Sequence, residues 1–259
     1  MSAIEPQFIE VGYGAARRRI AALAQPGGEP GLLWLQGFMS DMISTKATAL
    51  AEWSEKRGLA LTRFDYSGHG QSEGRFTDGT LGRWLEEARA VLAQLTAGPQ
   101  IVIGSSMGGY IALSLLKRLM AEQPSEAARI KALILIAPAW DMTEELMWKR
   151  FPPDTRREII ESGVWMRPSH YGDPYPITRG LIEDGRRHLL AREPWDPGRP
   201  VIIVHGRLDP DVPYQHSEEL VGFLRGGWAK LVDVPDGEHR LSRPQDLELL
   251  LGLIASVLA

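Results

Sequence analysis

The chain has 259 residues, with a formal net charge of −4 and no long block of either sign, so nucleic acid is not an expected partner. Hydrophobic and charged shares of 44% and 24% are those of an ordinary globular chain, and the length suits one α/β domain carrying an insertion. The absence of cysteine excludes disulfides, thiolate metal sites and a cysteine nucleophile, and it suits a reducing compartment, so a cytoplasmic location is expected.

Met1 to Pro6 carry no basic-then-apolar signal pattern. Gln7 to Val11 and Arg18 to Leu23 read as short strands, and Gln25 to Gly31 as a Gly/Pro turn. A buried strand, Leu32 to Leu35, runs into Gln36-Gly37-Phe38-Met39. The pattern predicts a helix from about Asp41 to Arg57, with Ser40 or Asp41 as its cap. Leu59 to Phe64 is the next strand, ending in the polar, glycine-rich loop Asp65 to Gly70, and a helix follows from about Thr80 to Leu95. The strand beginning at Gln100 meets Gly104-Ser-Ser-Met-Gly108 and an apolar helical run, Ile111 to Met120. Lys131 to Ala137 is another strand. Apolar strands alternating with helices imply a parallel sheet covered on both faces.

Pro138 breaks the rhythm. Trp140 to Arg199 holds short helical pieces, several prolines and four of the eight tryptophans. It is too long for a plain loop in a compact domain. A helical lid is expected there, which divides the chain into a core of residues 1–139 and 200–259 and an insertion of residues 140–199. The rhythm resumes with a strand, Val201 to Gly206, a helix, Tyr214 to Leu224, and a last strand, Lys230 to Val234. Pro235 to His239 is then a loop. The apolar run from Leu247 to Ala259 is shorter than the roughly 20 residues of a membrane span and is interrupted by Glu248 and Ser256. A packed helix is expected there, and no span.

Gly104-x-Ser106-x-Gly108 is the pattern of a nucleophile elbow. A strand turning abruptly into a helix strains the apical residue, and its neighbours must lack bulk so that strand and helix can approach. The serine hydroxyl then stands at a helix N-terminus, where backbone N–H groups favour developing negative charge. Ser105 is out of frame, because Ile103 and Met107 would occupy the glycine positions.

A serine nucleophile needs a base and the base an orienting acid. Of six histidines, His239 alone lies on a loop after the last strand, in the order Ser, Asp, His. His69 sits in a turn and is expected to brace its loop. His170 and His188 fall in the insertion. His205 ends a strand just before Asp209 and reads as a core or loop-bracing residue, and His216 starts a helix. For the acid, Asp209 lies just past a strand end, with Asp211 structural or solvated. Asp141 is the alternative acid, its other role being to cap the first helix of the insertion. The oxyanion donors are expected from the backbone N–H groups of Met107 and Phe38. Neither a metal cluster nor a dinucleotide fingerprint is present, so no metal or cofactor is expected.

Gly104–Gly109, Arg63–Ser72 and His205–Pro213 resemble α/β-hydrolases of the serine esterase type. Gly37–Ser44 with Thr45 and Lys46, Phe64–Gly70, Gly98–Gln100, and Gly163–Trp165 with Pro168 and Ser169 make the chain similar to the palmitoyl-protein thioesterase and mycophenolic acid acyl-glucuronide esterase family. The likeness runs from about residue 30 over nearly the whole chain. It implies the α/β-hydrolase fold, a mostly parallel doubly wound sheet with a lid inserted after the strand that follows the elbow helix. It implies Ser106, Asp209 and His239 as the catalytic triad, the residues reached above. It also implies hydrolysis of a small-molecule ester or thioester, or of an acylated protein, through an acyl-enzyme. Gln36-Gly37 departs from the commoner His-Gly of the oxyanion loop. A ligand-binding protein on the same fold and a C–C bond hydrolase using the same triad are the competing readings. In the lid, Trp148 or Trp165 is expected to face the pocket and hold the acyl or leaving group.

Overall fold

The computed structural model describes residues 4–169, 172–190 and 193–258. Its strands in chain order are β1 (Gln7–Val11), β2 (Arg18–Gln25), β3 (Gly28–Leu35), β4 (Leu59–Phe64), β5 (Gln100–Ser105), β6 (Ile130–Ile136), β7 (Val164–Arg167), β8 (Tyr175–Thr178), β9 (Val201–Gly206) and β10 (Ala229–Val234). Eight of them form one sheet in the order β1-β2-β4-β3-β5-β6-β9-β10, while β7 and β8 pair separately. From β4 to β10 every neighbouring pair in the large sheet is parallel, and β2 and β1 are added antiparallel at one edge.

The helices are α1 (Thr45–Lys56), α2 (Leu81–Leu95), α3 (Met107–Glu122), α4 (Pro124–Arg129), α5 (Pro153–Ser162), α6 (Arg179–Gly185), α7 (Tyr214–Phe223) and α8 (Pro244–Ser256). Successive strand residues point to opposite faces, and here both faces are apolar. Leu32, Trp34, Ile101, Ile103, Ile134 and Ile202 pack with Leu50 and Trp53 of α1 and Leu250 and Ile254 of α8. Leu33, Leu35, Val102, Leu133, Leu135 and Ile203 pack with α2, α3 and α7 on the other side. This is the doubly wound sheet expected from the strand pattern. Among the described residues no helix is long and apolar enough to cross a membrane.

Three local expectations are corrected. The Gly/Pro stretch at Gln25 to Gly31 is not all turn: β3 already begins at Gly28, with a register irregularity between Gly28 and Leu32. Helix α1 starts at Thr45 rather than Asp41, and neither Ser40 nor Asp41 caps it. The preceding residues are held as a loop instead, because the Met42 N–H donates to Asp65 Oδ1 at 2.7 Å and the Ile43 N–H to Asp41 Oδ1 at 3.0 Å. A tertiary partner thus overrides a local helix-start signal. The segment between β6 and β9 is not purely helical. It contains a π-helical stretch, Thr143–Trp148, with α5 and α6, and also the antiparallel pair β7–β8, in which Trp165 lies opposite Ile177. Val, Trp, Tyr and Ile in those two short runs favour a pleated surface over a helix.

Candidate active site

Ser106 sits between β5 and α3 with φ 54° and ψ −115°, a conformation rarely adopted by a non-glycine residue. The surroundings impose it. The Ser106 N–H donates to the Ile136 carbonyl at 2.8 Å, and its own carbonyl accepts from the Ala139 N–H at 3.1 Å. A Cβ on Gly104 would run into the Gly108 carbonyl, and one on Gly108 into the Leu35 carbonyl oxygen. The two glycines of the motif therefore let β3, β5 and α3 meet beneath the serine.

The parallel sheet brings the carboxyl ends of β5, β9 and β10 to one edge. His239, on the loop after β10, places Nε2 3.1 Å from Ser106 Oγ and Nδ1 2.7 Å from Asp209 Oδ2. The Asp209 side chain is fully buried and that of His239 is 16% exposed. A carboxylate only accepts, so the proton lies on Nδ1 and Nε2 is left to accept from the serine hydroxyl. Asp209 Oδ1 accepts from the Asp211 and Val212 N–H groups, each at 2.8 Å. Burial pushes the Asp209 carboxyl up, but hydrogen bonds from His205, His239 and the Val212 N–H outweigh it and hold the group well below the usual carboxylate range. Asp209, Asp211 and His239 are also the one trio among the described residues with ligand atoms spaced to hold a cation. With its oxygens engaged by four N–H donors, Asp209 is arranged as a partner of imidazole rather than as a metal ligand.

The loop after β3 lies against the serine: a Cβ on Gly37 would come within 3.4 Å of Ser106 Cβ. Phe38 follows it into the cavity wall, and Met107 opens α3, where the first N–H groups have no intrahelical acceptor. Met39, at φ 60°, donates its N–H to His69 Nε2 at 3.3 Å, and His69 Nδ1 donates to the Ser67 carbonyl at 3.2 Å. Burial pushes the His69 imidazole down to about 4, which keeps it neutral and Nε2 free to accept. His69 thus braces the loop after β3 as well as its own. Asp65 accepts from Met42 and Gln71 N–H groups and from Gln36 Nε2, so Gln36 serves this polar cluster beneath the loop.

A cavity of about 920 Å³ opens over Ser106. Phe38, Met142, Leu146, Met147, Tyr175 and Val212 supply its apolar wall, and Lys46, Arg167, Arg240, Asp41, Asp173 and Asp211 its polar rim. Lys46, in the first turn of α1, donates from Nζ to the Arg240 carbonyl and to Ser242 Oγ, tying α1 to the chain just past His239. Burial, with the Arg240 charge, lowers the Lys46 ammonium to about 8.

Trp148 and Trp165 do not line the cavity. Trp165 packs edge-on against Phe151 at 5.1 Å, and Trp148 lies under the Arg186 guanidinium at 4.9 Å. Among the described residues, the aromatic that the inserted segment presents to the cavity is Tyr175, edge-on to Phe38 at 5.7 Å. Trp165 has the greater apolar area and is used inside the insertion, whereas Tyr175 can show a polar tip to the cavity. Asp141 is 1% exposed and accepts the Leu190 N–H at 2.7 Å. It reaches no histidine of the site, and its side chain holds the end of the insertion rather than capping a helix. His216 donates from Nε2 to the Trp140 carbonyl at 2.7 Å and stacks on the Trp140 ring. His188 lies by Asp184 and Arg118, and His170 is outside the described residues. The sequence places Asp65 and Gln36 in their loops and Lys46 in a helix without showing the bonds they make. The glycine-rich loop after β4 was the signal available for Asp65, since a Cβ on Gly70 would fall on its carboxylate.

Comparison with known proteins identifies the family and the fold. The family model described as serine aminopeptidase, S33 matches residues 36–179. The bovine mitochondrial palmitoyl-protein thioesterase ABHD10 is 31% identical over 229 residues, covering 87% of this chain and 72% of the relative. The crystal structure of a hydrolase candidate from Agrobacterium vitis S4 superposes with a TM-score of 0.95 at 42% identity, over 100% of both chains. Mouse α/β-hydrolase domain-containing protein 10 superposes with a TM-score of 0.84 at 29% identity, over 97% of this chain and 98% of its own.

Proposed function

Because the chain belongs to the serine aminopeptidase S33 family and has the α/β-hydrolase fold, we propose that it cleaves carboxylic esters or thioesters through an acyl-enzyme on Ser106. The observation that carries this reading is the unbroken relay from Asp209 through His239 to Ser106, with contacts of 2.7 and 3.1 Å. Ser106 Oγ attacks the substrate carbonyl while His239 Nε2 takes its proton, and Asp209 stabilises the imidazolium that forms. The tetrahedral oxyanion is held by the Met107 and Phe38 N–H groups. His239 then hands its proton to the departing thiol or alcohol, leaving the acyl group on Ser106. A water attacks that ester and gives a proton to His239, which returns it to the departing Ser106 Oγ as the acid is released.

The apolar wall suits an acyl chain and the charged rim a polar leaving group. The thioesterase name of the ABHD10 relatives supports thioesters and acylated proteins within the same substrate class. The test is turnover of a panel of p-nitrophenyl esters and acyl thioesters, from acetyl to long chains, by wild type and Ser106→Ala. Wild type should hydrolyse members of the panel, and Ser106→Ala should lose roughly 10⁴–10⁶-fold in kcat while melting like wild type. Ser105→Ala should cost far less. Wild type inert on every member, or an active Ser106→Ala, would defeat the reading.

A further inference from the structure

We infer that His205 is a positioning residue for the relay: it holds the Asp209 carboxylate in the orientation that His239 requires. The inference rests on the reading of Ser106, His239 and Asp209 as a catalytic unit. Asp209 Oδ2 is shared by two imidazoles, His239 Nδ1 at 2.7 Å and His205 Nε2 at 3.1 Å. The second ring comes from the penultimate residue of β9 and is fully buried, as is the Asp209 side chain it touches. His205 Nε2 has a further partner, the Val212 carbonyl, at 2.9 Å. Both partners are acceptors, so Nε2 carries the proton and donates to each. On its far side Nδ1 meets Ser217 Oγ of α7 at 2.6 Å.

The arrangement does more than fill the core. The Asp211 and Val212 N–H groups fix Oδ1, and His205 fixes Oδ2, so the plane of the carboxylate is set from both ends. His239 cannot supply that second anchor, because it is the group that must be oriented and that gains and loses a proton. Without His205 the carboxylate is free to tilt about its Oδ1 bonds, and the direction of its bond to His239 is no longer fixed. The Ser217 contact ties the anchor to α7, so the ring is held by packed secondary structure as well as by its bond to the Val212 carbonyl of the loop.

Two amide replacements separate this role from simple core filling. In His205→Gln the side chain has the reach of Nε2 and can still donate to Asp209. In His205→Asn it has the reach of Nδ1, can meet Ser217 and cannot reach Asp209. On an ester that wild type hydrolyses, with kcat normalised to sites titrated by a fluorophosphonate, His205→Gln should stay within about threefold of wild type. His205→Asn should lose about 10²-fold in kcat with little change in KM, as expected when a catalytic group is misplaced by about 1 Å. Equal kcat values for the two variants, or loss of melting temperature with kcat intact in both, would overturn the inference. Failure of Ser106 in the wild type to take the probe or turn over substrate would instead defeat the reading on which it rests.

Discussion

Asp209 and Asp141 both follow strand ends, and their partners separate them: two imidazoles for one, the Leu190 N–H for the other. Asp209→Asn should therefore cost about 10⁴-fold in kcat, by presenting His239 with a donor and turning it to the wrong tautomer. Asp141→Asn should act on melting temperature with kcat near wild type; the reverse pattern would move the acid to the end of β6. The histidines carry a second prediction. Burial lowers His69 and His216 to about 4 from an ordinary value of 6.5. As pH falls from about 6.5 to 4, the unfolded chain takes up protons that the folded chain resists, so stability falls with pH over that window. His69→Gln, which keeps an acceptor for the Met39 N–H, should flatten part of that slope in melting curves across the window. An unchanged slope would mean that His69 is not a buried neutral base. At this scale Ser106 was readable because the strain of its turn is written in flanking glycines. The choice of His239 followed from its place after the last strand. His205 as a loop brace was also readable, but its hold on Asp209 was not, since no spacing shows that one carboxylate oxygen serves two rings.

The elements were legible where periodicity was strong and illegible where tertiary bonds decide. The bounds of β4 and β9 follow from apolar-rich runs and those of β1 from a short alternating one, and Thr80 caps α2 as its residue type suggests, accepting the Arg83 N–H at 3.3 Å. The late start of α1 could not be read, because Asp65, far along the chain, claims the Met42 N–H. The inserted segment was the least legible, since one sequence does not show which aromatics face inward. Two of its half-buried aromatics now carry opposite predictions. Tyr175→Ala should raise KM for long acyl substrates more than for acetyl esters. Trp165→Ala removes a ring packed on Phe151. It should cost about 1–3 kcal/mol of stability and affect short and long substrates alike. A long-chain KM effect confined to Trp165→Ala would mean that the wall of the cavity has been misassigned.

For the molecule as a whole, the doubly wound sheet does the assembling. Crossover helices return each parallel strand in the same direction, so loops distant in sequence collect at one edge. There Gly37, Ser106 and His239 line a cavity of about 920 Å³, with Asp209 buried behind His239. That much followed from the order of strands, while the nature of the acyl and leaving groups did not, because cavity walls mix residues from many elements. The most direct measurement is intact-mass and peptide mass spectrometry of the wild-type protein and Ser106→Ala after exposure to a fluorophosphonate, with and without an excess of a long-chain acyl thioester. One adduct per chain on the peptide bearing Ser106, slowed by the thioester and absent from Ser106→Ala, is the expected result. An adduct on Ser105 or on another serine, or hydrolysis that continues with Ser106 fully blocked, would contradict it.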